Sequence, residues 1–306
     1  MRKFLLVRLC RSLITIWFVF TLVFCITRLT MDPTEWILPD DAPLEARIAM
    51  RQQLGLDKPI HIQYLNMVGS LFTGKTELSY MFSRPVGELF GERAGATLRL
   101  GMLTLLLSAA VAIPLGTFTA VKRNTPFDRL GITFSIIGSV VPNFVLGILL
   151  IFLFSLVLRL LPSGGASTWR HYIMPVIAMS AGPMATIARL TRSSMLDVLR
   201  QDYLDFARSK GSKEKVVVIK HALRNAMIPV ITIIGLQFGH IVGGSVVVET
   251  VFSWPGIGFL IVNSAQARDF PVIQYSILLI GASIAIANMM VDIGYALLDP
   301  RIRENF

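Results

Sequence analysis

The sequence predicts an all-α polytopic membrane protein, and three observations indicate this fold class. The chain has 306 residues, of which 54% are hydrophobic, and its mean hydropathy is +0.65. Only 16% of the residues are charged, against roughly 25% in an ordinary soluble domain. Long apolar runs also recur from one end of the chain to the other. Together these features exclude a disordered chain, a coiled coil, a collagen and a nucleic-acid-binding module.

Six apolar runs predict membrane-spanning helices, because a span needs about 20 mostly apolar residues. We expect these spans at residues 9–26, 100–121, 130–158, 173–188, 226–248 and 270–291. The first follows Met1, Arg2 and Lys3, as in a signal sequence, but no small-residue cleavage site follows Ile26. We therefore interpret it as an uncleaved membrane anchor.

The third and fourth runs differ from a simple span. Residues 130–158 are 29 residues without a charge, more than a bilayer needs. We expect this element to tilt, to bend near Pro142 or to extend beyond the membrane. Residues 173–188 are few and contain Pro175, Gly182 and Pro183, which disfavour a regular helix.

The Lys and Arg residues orient the spans, because cytoplasmic loops of membrane proteins carry an excess of positive charge. Residues 189–225 include nine basic and four acidic residues, whereas residues 27–97 include seven basic and nine acidic ones. With six spans, this pattern predicts that both chain termini are cytoplasmic. It also explains much of the formal net charge of +10.

The spans and loops divide the chain into three parts. Residues 1–26 form the N-terminal tail and first helix, residues 27–97 an extracytoplasmic segment, and residues 98–306 a transmembrane core. The core includes the cytoplasmic loop at residues 189–225, which is too short for a hydrophobic core of its own. The extracytoplasmic segment is expected to pack on the helices as a small cap.

Cysteine and histidine positions predict neither a disulfide nor a metal site. Cys10 and Cys25 are 15 residues apart on one predicted helix, which is about 22 Å and beyond disulfide reach. The four histidines, at positions 61, 171, 221 and 240, lack metal-ligand spacing. We expect no metal and no cofactor.

The cytoplasmic loop predicts a helix, a glycine turn and a second helix. Arg208 and Lys210 precede Gly211, which is typical of a helix C-terminus. Tyr203 and Phe206 are then exposed, which is unexplained unless a partner covers them. The plainer alternative is a solvated loop that only connects two spans.

Six motifs are specific enough to indicate a family. Residues 202–211 read DYLDFARSKG, and residues 221–230 read HALRNAMIPV. The others are LGLDKP at 54–59, VVETVFSWPGIG at 247–258, RDFPVIQ at 268–274 and DPRIR at 299–303. With these motifs the chain resembles the permease subunits of ABC importers for dipeptides, oligopeptides, nickel and glutathione, over nearly its whole length.

The resemblance implies a division of labour. A second permease shares the pathway, as a heterodimer, and two cytoplasmic ABC ATPases supply the energy. An extracytoplasmic binding protein delivers the substrate. The chain itself is then a transport subunit and not an enzyme, embedded in the lipid of a bacterial inner (cytoplasmic) membrane, with no nucleic-acid partner.

The resemblance also implies that the cytoplasmic loop carries an ATPase-coupling helix. Its interface residues are Asp202, Tyr203, Asp205, Phe206, Ala207, Lys210 and Gly211. The family's general Glu-Ala-Ala pattern reads Asp-Phe-Ala at residues 205–207, and its later Leu-Pro pair reads Leu-Arg at residues 223–224. The glycine permits a sharp reversal, so the helix before it would act as a lever on the attached spans.

One motif is rejected on its context. Residues 69–76, GSLFTGKT, fit the phosphate-loop pattern of NTPases. A phosphate loop follows a strand and opens a helix within an α/β domain, whereas here about 70 residues lie between two spans. We therefore predict no nucleotide site in this segment.

Polar residues inside membrane spans are costly and often functional. The candidates for lining the translocation pathway are Asn143, Gln237, His240 and Asn288. The alternative is that they hydrogen-bond neighbouring helices. Gly235, Gly239 and Gly243 recur every four residues and predict close helix packing, with a hinge role left open.

The resemblance implies the transport of peptides, and spans with little fixed charge suit the wide and weakly selective pathway that a peptide importer needs. The same type of importer for nickel, glutathione or another small solute is the first alternative. An ion-coupled secondary transporter is the second, with Asp292 as its candidate coupling residue. A membrane-embedded hydrolase lacks any catalytic constellation in the sequence.

Overall fold

The computed structural model describes residues 2–30, 32, 34–39, 41–73 and 76–298. Within these residues every regular element is a helix, and the only extended pairing is an isolated bridge between Leu78 and Pro85. The predicted all-α class is therefore confirmed.

The helices of the described residues follow one another in this order: α1 (Arg2–Thr30), α2 (Thr34–Ile37), α3 (Leu44–Gln53), α4 (Ile60–Thr73), α5 (Val86–Val121), α6 (Pro126–Val140), α7 (Asn143–Leu150), α8 (Arg170–Val198), α9 (Asp202–Ser209), α10 (Glu214–Val216), α11 (Leu223–Val251), α12 (Ile257–Gln266) and α13 (Phe270–Leu298). Two of them continue as π-helical segments, Ile151–Val157 after α7 and Val217–Ala222 after α10.

Four helical stretches of the described residues are long and apolar enough to cross a membrane: Leu9–Arg28, Val86–Val121, Arg170–Val198 and Glu214–Gln237. The bent pair of α6 and α7 makes a fifth. The apolar stretch described in α13, Phe270–Ile286, is shorter than the about 20 residues of a span. The described residues thus contain four or five candidate spans. Helix α13 itself runs over 29 residues to Leu298, and several side chains at the end of the predicted sixth span, residues 270–291, lie outside what the structure describes.

The predicted third span is not one straight helix. α6 ends at Val140, α7 begins at Asn143, and the two parts meet at an angle of 98°. Pro142 causes this break, since it lacks an N–H group and drives the preceding Val141 into an extended conformation (φ −73°, ψ 121°). Of the three expectations for this element, the bend near Pro142 is the one confirmed.

Helices α5 and α8 form the most extensive helix pair in the molecule. They approach closely at Gly116, where a Cβ atom would lie 2.5 Å from the carbonyl oxygen of Ala188 and 2.7 Å from Cβ of Thr191. Further along, the buried Ser180 hydroxyl donates to the carbonyl of Thr104 across the same interface, at 3.2 Å. The pair therefore packs backbone against backbone.

A buried carboxylate holds α12 against α5 and α11. Glu249 is fully buried and accepts the backbone N–H groups of Gly258, at 2.7 Å, and Phe259, at 3.2 Å. Its other oxygen accepts the hydroxyl of Thr97 at 2.8 Å. The negative charge thus lies at the positive N-terminus of a helix, where unpaired N–H groups need acceptors.

A second buried carboxylate holds the extramembrane turn before α5. Asp269 is fully buried and accepts the Ser79 hydroxyl and the backbone N–H groups of Tyr80, at 3.1 Å, and Met81, at 3.2 Å. The turn is packed well enough that burial raises the pKa of Tyr80 to about 12. The segment before α5 is thereby fixed to the start of α13.

We expect the substitution Gly116→Ala to destabilise the protein, because the new methyl group would clash with backbone atoms of α8. Gly95→Ala is the matched control on the same helix, since a Cβ atom at Gly95 meets nothing within 4 Å. There the substitution should be neutral or stabilising by up to about 1 kcal/mol. Thermal unfolding of both variants in detergent measures the difference, and equal melting temperatures would contradict the packing.

We expect Glu249→Ala to lower stability by several kcal/mol, because it leaves buried donors unpaired at about 1–3 kcal/mol each. Glu249→Gln keeps one acceptor oxygen and should lose less. Glu92→Ala is the control, since its ion pair with Arg84 is exposed and such pairs contribute about 0–1 kcal/mol. Melting temperatures test this order. A loss for Glu249→Ala no larger than for Glu92→Ala would refute the capping role.

Candidate functional site

The short helix α9 lies between two long helices and is fixed by one buried side chain. Leu204 is fully buried in a cluster with the last turns of α5 and α8 and with the π-helical segment that precedes α11. The cluster consists of Ala120, Met195, Leu204, Val217, Val218, Ala222 and Ala226. Helix α9 thus packs on these elements along one face.

Helix α9 ends in a glycine turn of defined geometry. The N–H of Gly211 donates to the carbonyl of Arg208 at 2.9 Å, and that of Ser212 donates to Ala207 at 3.3 Å. These two hydrogen bonds form a Schellman motif, which needs a residue in the left-handed conformation after the helix. Gly211 supplies it with φ = +79°, a conformation that other residues rarely adopt.

The face of α9 opposite Leu204 is exposed and carries two aromatic rings. The side chain of Phe206 is 61% exposed and that of Tyr203 is 41% exposed. The ammonium group of Lys210 lies 4.3 Å from the centroid of the Phe206 ring. The Tyr203 hydroxyl accepts a hydrogen bond from Asn225 of α11 at 2.7 Å. The surface thus combines an aromatic anchor with cationic and polar groups.

Ion pairs hold the two sides of the glycine turn together. The Arg208 guanidinium donates to Asp205 at 2.7 Å and to Glu214, at the start of α10, at 3.1 Å. The hydrogen bond to Glu214 is the main reason that the pKa of Arg208 is raised. Asp202 begins α9, and Ala207 lies half-buried on it. All seven residues predicted for the coupling helix thus lie on α9 or its terminal turn.

A second polar connection lies near the end of α8, close to α9. Arg192 of α8 binds Asp128 of α6 through two hydrogen bonds, Nε to Oδ1 at 2.7 Å and Nη2 to Oδ2 at 2.8 Å. Arg192 is one of the nine basic residues of the segment 189–225, and no sequence motif links it to Asp128. Their pairing was missed because 64 positions separate them, and the residue types alone carry no signal for it.

The structure does not bring the predicted pathway residues into one described site. Asn143 is half-buried at the start of α7, and Gln237 is half-buried in α11. The side chains of His240 and Asn288, and Gly243 of the glycine series, lie outside what the structure describes. Gly239 is buried and Gly235 half-buried, and their packing role stays a prediction. A close glycine contact is described at Gly116 of α5.

The described part of the segment resembling a phosphate loop is helical over residues 69–73. Gly69–Thr73 continue α4 to its C-terminus, so the motif does not follow a strand there. Residues 74 and 75 of the motif, and the motif at 299–303, lie outside the described residues. In the described part of the chain, no group of three or more His, Cys, Asp or Glu residues could hold a metal ion.

Comparison with known proteins identifies the family. A model described as the binding-protein-dependent transport system inner membrane component matches residues 112–304, and the N-terminal model of such membrane components matches residues 1–90. The glutathione transport system permease protein GsiC of Salmonella typhimurium is 42% identical over 304 residues, which cover 99% of each chain. The protein of the same name from Escherichia coli K12 matches to the same extent.

Two solved structures share the fold. The MetNI methionine ABC transporter, in an inward-facing conformation, aligns with a TM-score of 0.58 and 16% identity over 71% of this chain and 100% of that chain. An amino acid ABC transporter aligns with a TM-score of 0.52 and 14% identity over 68% and 94%. On the strength of the two family models and the full-length relatives, this chain belongs to the inner membrane components of binding-protein-dependent transport systems, the permease subunits of ABC importers.

Proposed function

We propose that this chain forms, together with a second permease, the membrane pathway for small peptides of the size of glutathione. An extracytoplasmic binding protein delivers the substrate, and two cytoplasmic ATPases that bind helix α9 drive its passage. Both chain termini lie in the cytoplasm in this arrangement. The ATPases hydrolyse ATP, and the permease converts their closing into movement of its spans.

The observation that carries the proposal is the construction of α9. One face is anchored by the fully buried Leu204, and the other exposes Phe206 with nothing but Lys210 against its ring. An exposed aromatic ring on a rigid, preorganised element is the kind of anchor that protein interfaces bury at their centres. The anchored face then passes any displacement of the exposed face to α5, α8 and α11.

The charge of α9 suits a partner surface with both donors and acceptors. Asp202 and Asp205 lie in its first turn, and Arg208 and Lys210 lie at its end. This distribution follows the helix dipole, so that neither end of α9 is electrostatically strained before docking. A partner groove that offers cations near the start of α9 and anions near its end would be complementary.

The substrate class rests on two supports of different kinds. The relatives that match along the full length are named as glutathione transport permeases. Glutathione is a tripeptide, so it lies within the peptide class that the sparse charge of the apolar spans favours. The binding protein, which meets the substrate first, would select among peptides, and the permease would accept what it delivers.

We expect Phe206→Ala to weaken binding of the ATPase subunits by about 30-fold, equivalent to about 2 kcal/mol, the threshold for an interface hot spot. Because Phe206 is exposed, the fold should not change. Phe127→Ala is the matched control, since its ring on α6 is also 61% exposed. The affinity of purified permease pairs in nanodiscs for the ATPases measures the effect. Equal affinities in both variants would disprove docking on this face.

We expect cells that depend on this importer to accumulate labelled glutathione, and unlabelled di- and tripeptides to compete with it. A variant importer with inactive partner ATPases is the control and should accumulate none, since the permease has no energy source of its own. Uptake that survives ATPase inactivation would indicate an ion-coupled transporter. Uptake of nickel without glutathione would reassign the substrate and leave the importer class intact.

A further inference from the structure

We propose that Asp128 and Arg192 form a positioning pair that transmits the displacement of α8 to α6 and thereby to the bend at Pro142. The proposal rests on the function proposed above for α9, since α9 must first move α8. Both charged residues lie outside the proposed coupling surface on α9. The pair connects the helix that leads into α9 with the helix that leads into the bend.

The position of the pair fits such a role. Arg192 lies six residues before the end of α8, which is about 9 Å along the helix axis, and α9 begins four residues later. Asp128 lies in the first turn of α6, whose other end is the bend before α7. The pair thus joins the driven end of α8 to the end of α6 that is distant from the bend.

The geometry of the pair is directional. Two parallel hydrogen bonds, at 2.7 and 2.8 Å, fix both the distance and the orientation of the guanidinium and the carboxylate. Asp128 is 3% exposed, so water does not compete effectively for its oxygens. A bidentate buried pair resists sliding of one helix along the other, which a contact between apolar side chains does not.

Asp128 is itself held in place from a third element. Its Oδ2 also accepts the backbone N–H of Asn124 in the turn between α5 and α6, at 3.0 Å. Asn124 has φ = +63°, a left-handed conformation that asparagine tolerates better than most residues and often adopts just after a helix. The Asp128 carboxylate therefore connects the start of α6 to the turn after α5 and to the last part of α8.

The other contacts between α6 and α8 are of a different kind. Arg189 donates to the Ser139 hydroxyl at 3.1 Å, at an exposed position. At Gly138, a Cβ atom would lie 3.1 Å from the carbonyl oxygen of Ala181, so the helices touch there through small groups. These contacts keep the end of α6 alongside α8, and the pair of Asp128 with Arg192 adds a directional connection at the start of α6.

The test compares the movement of α6 with that of α8 in the complete importer. Native cysteines, Cys10 and Cys25 included, are replaced by serine, and spin labels are placed at exposed positions. Leu13 of α1 is the reference, Ile137 reports on α6 and Ile177 reports on α8. Pulsed electron paramagnetic resonance then gives the distances to Leu13, without nucleotide and after trapping with ATP and vanadate.

With the native pair, we expect trapping to change both distances. In Asp128→Asn, the change at Ile177 should persist while the change at Ile137 falls to half or less. The double variant Asp128→Arg with Arg192→Asp should restore the change at Ile137, since the exchange rebuilds the ion pair with its charges reversed. Arg189→Gln is the control and should leave both changes as they are. A merely structural role would not separate the two reporters.

Three outcomes would overturn the proposal. An undiminished change at Ile137 in Asp128→Asn shows that α6 follows α8 without the pair. If Asp128→Asn does not assemble, the variant Arg192→Lys is used instead, because it keeps the charge and loses the bidentate geometry. An undiminished change at Ile137 in Arg192→Lys would likewise show that α6 follows α8 without the pair. If trapping leaves Ile177 unmoved in the native importer, the lever function of α9 fails first, and this proposal fails with it.

Discussion

The structure depends on one constraint: each backbone N–H and C=O group that is removed from water, by the membrane or by packing, must find its partner inside the protein. Continuous helices meet this requirement by themselves, and the difficulty arises where helices end or turn. Three buried acids lie at such places. Asp128 accepts an N–H between α5 and α6, Glu249 accepts two at the start of α12, and Asp269 accepts two in the turn before α5. These three buried carboxylates thus serve as acceptors for backbone N–H groups.

The same constraint separates rigid from movable parts of the molecule. Where α5 meets α8, glycine and serine bring the backbones together, and the contact has little freedom. The helix α9, by contrast, touches the remainder through Leu204 and Ala207, a hydrogen bond from Asn225 to Tyr203 and the ion pair of Arg208 with Glu214, while the Phe206 ring is largely exposed. A short, well-ended helix on a compact helix pair is suited to receive a force from a partner and to pass it on without deforming.

Much of this architecture was predictable because it follows from local chemistry. Apolar runs predicted the helices, Pro142 predicted a bend, and the residues before Gly211 predicted a turn, since each property belongs to the residues themselves. The 98° angle between α6 and α7 was not predictable, because apolar length does not distinguish a straight crossing from a bent pair. The pairing of Asp128 with Arg192 and the capping by Glu249 depend on the approach of distant segments. No single-sequence pattern records such contacts.

The 98° angle between α6 and α7 also has a consequence for biosynthesis. Each arm has 15 residues, or about 22 Å of helix, while the hydrocarbon layer is about 30 Å thick. Neither arm by itself is long enough for the translocon to release as a finished crossing. We therefore expect the two arms to enter the lipid together. Membrane integration of this region is accordingly a cooperative event rather than a stepwise one.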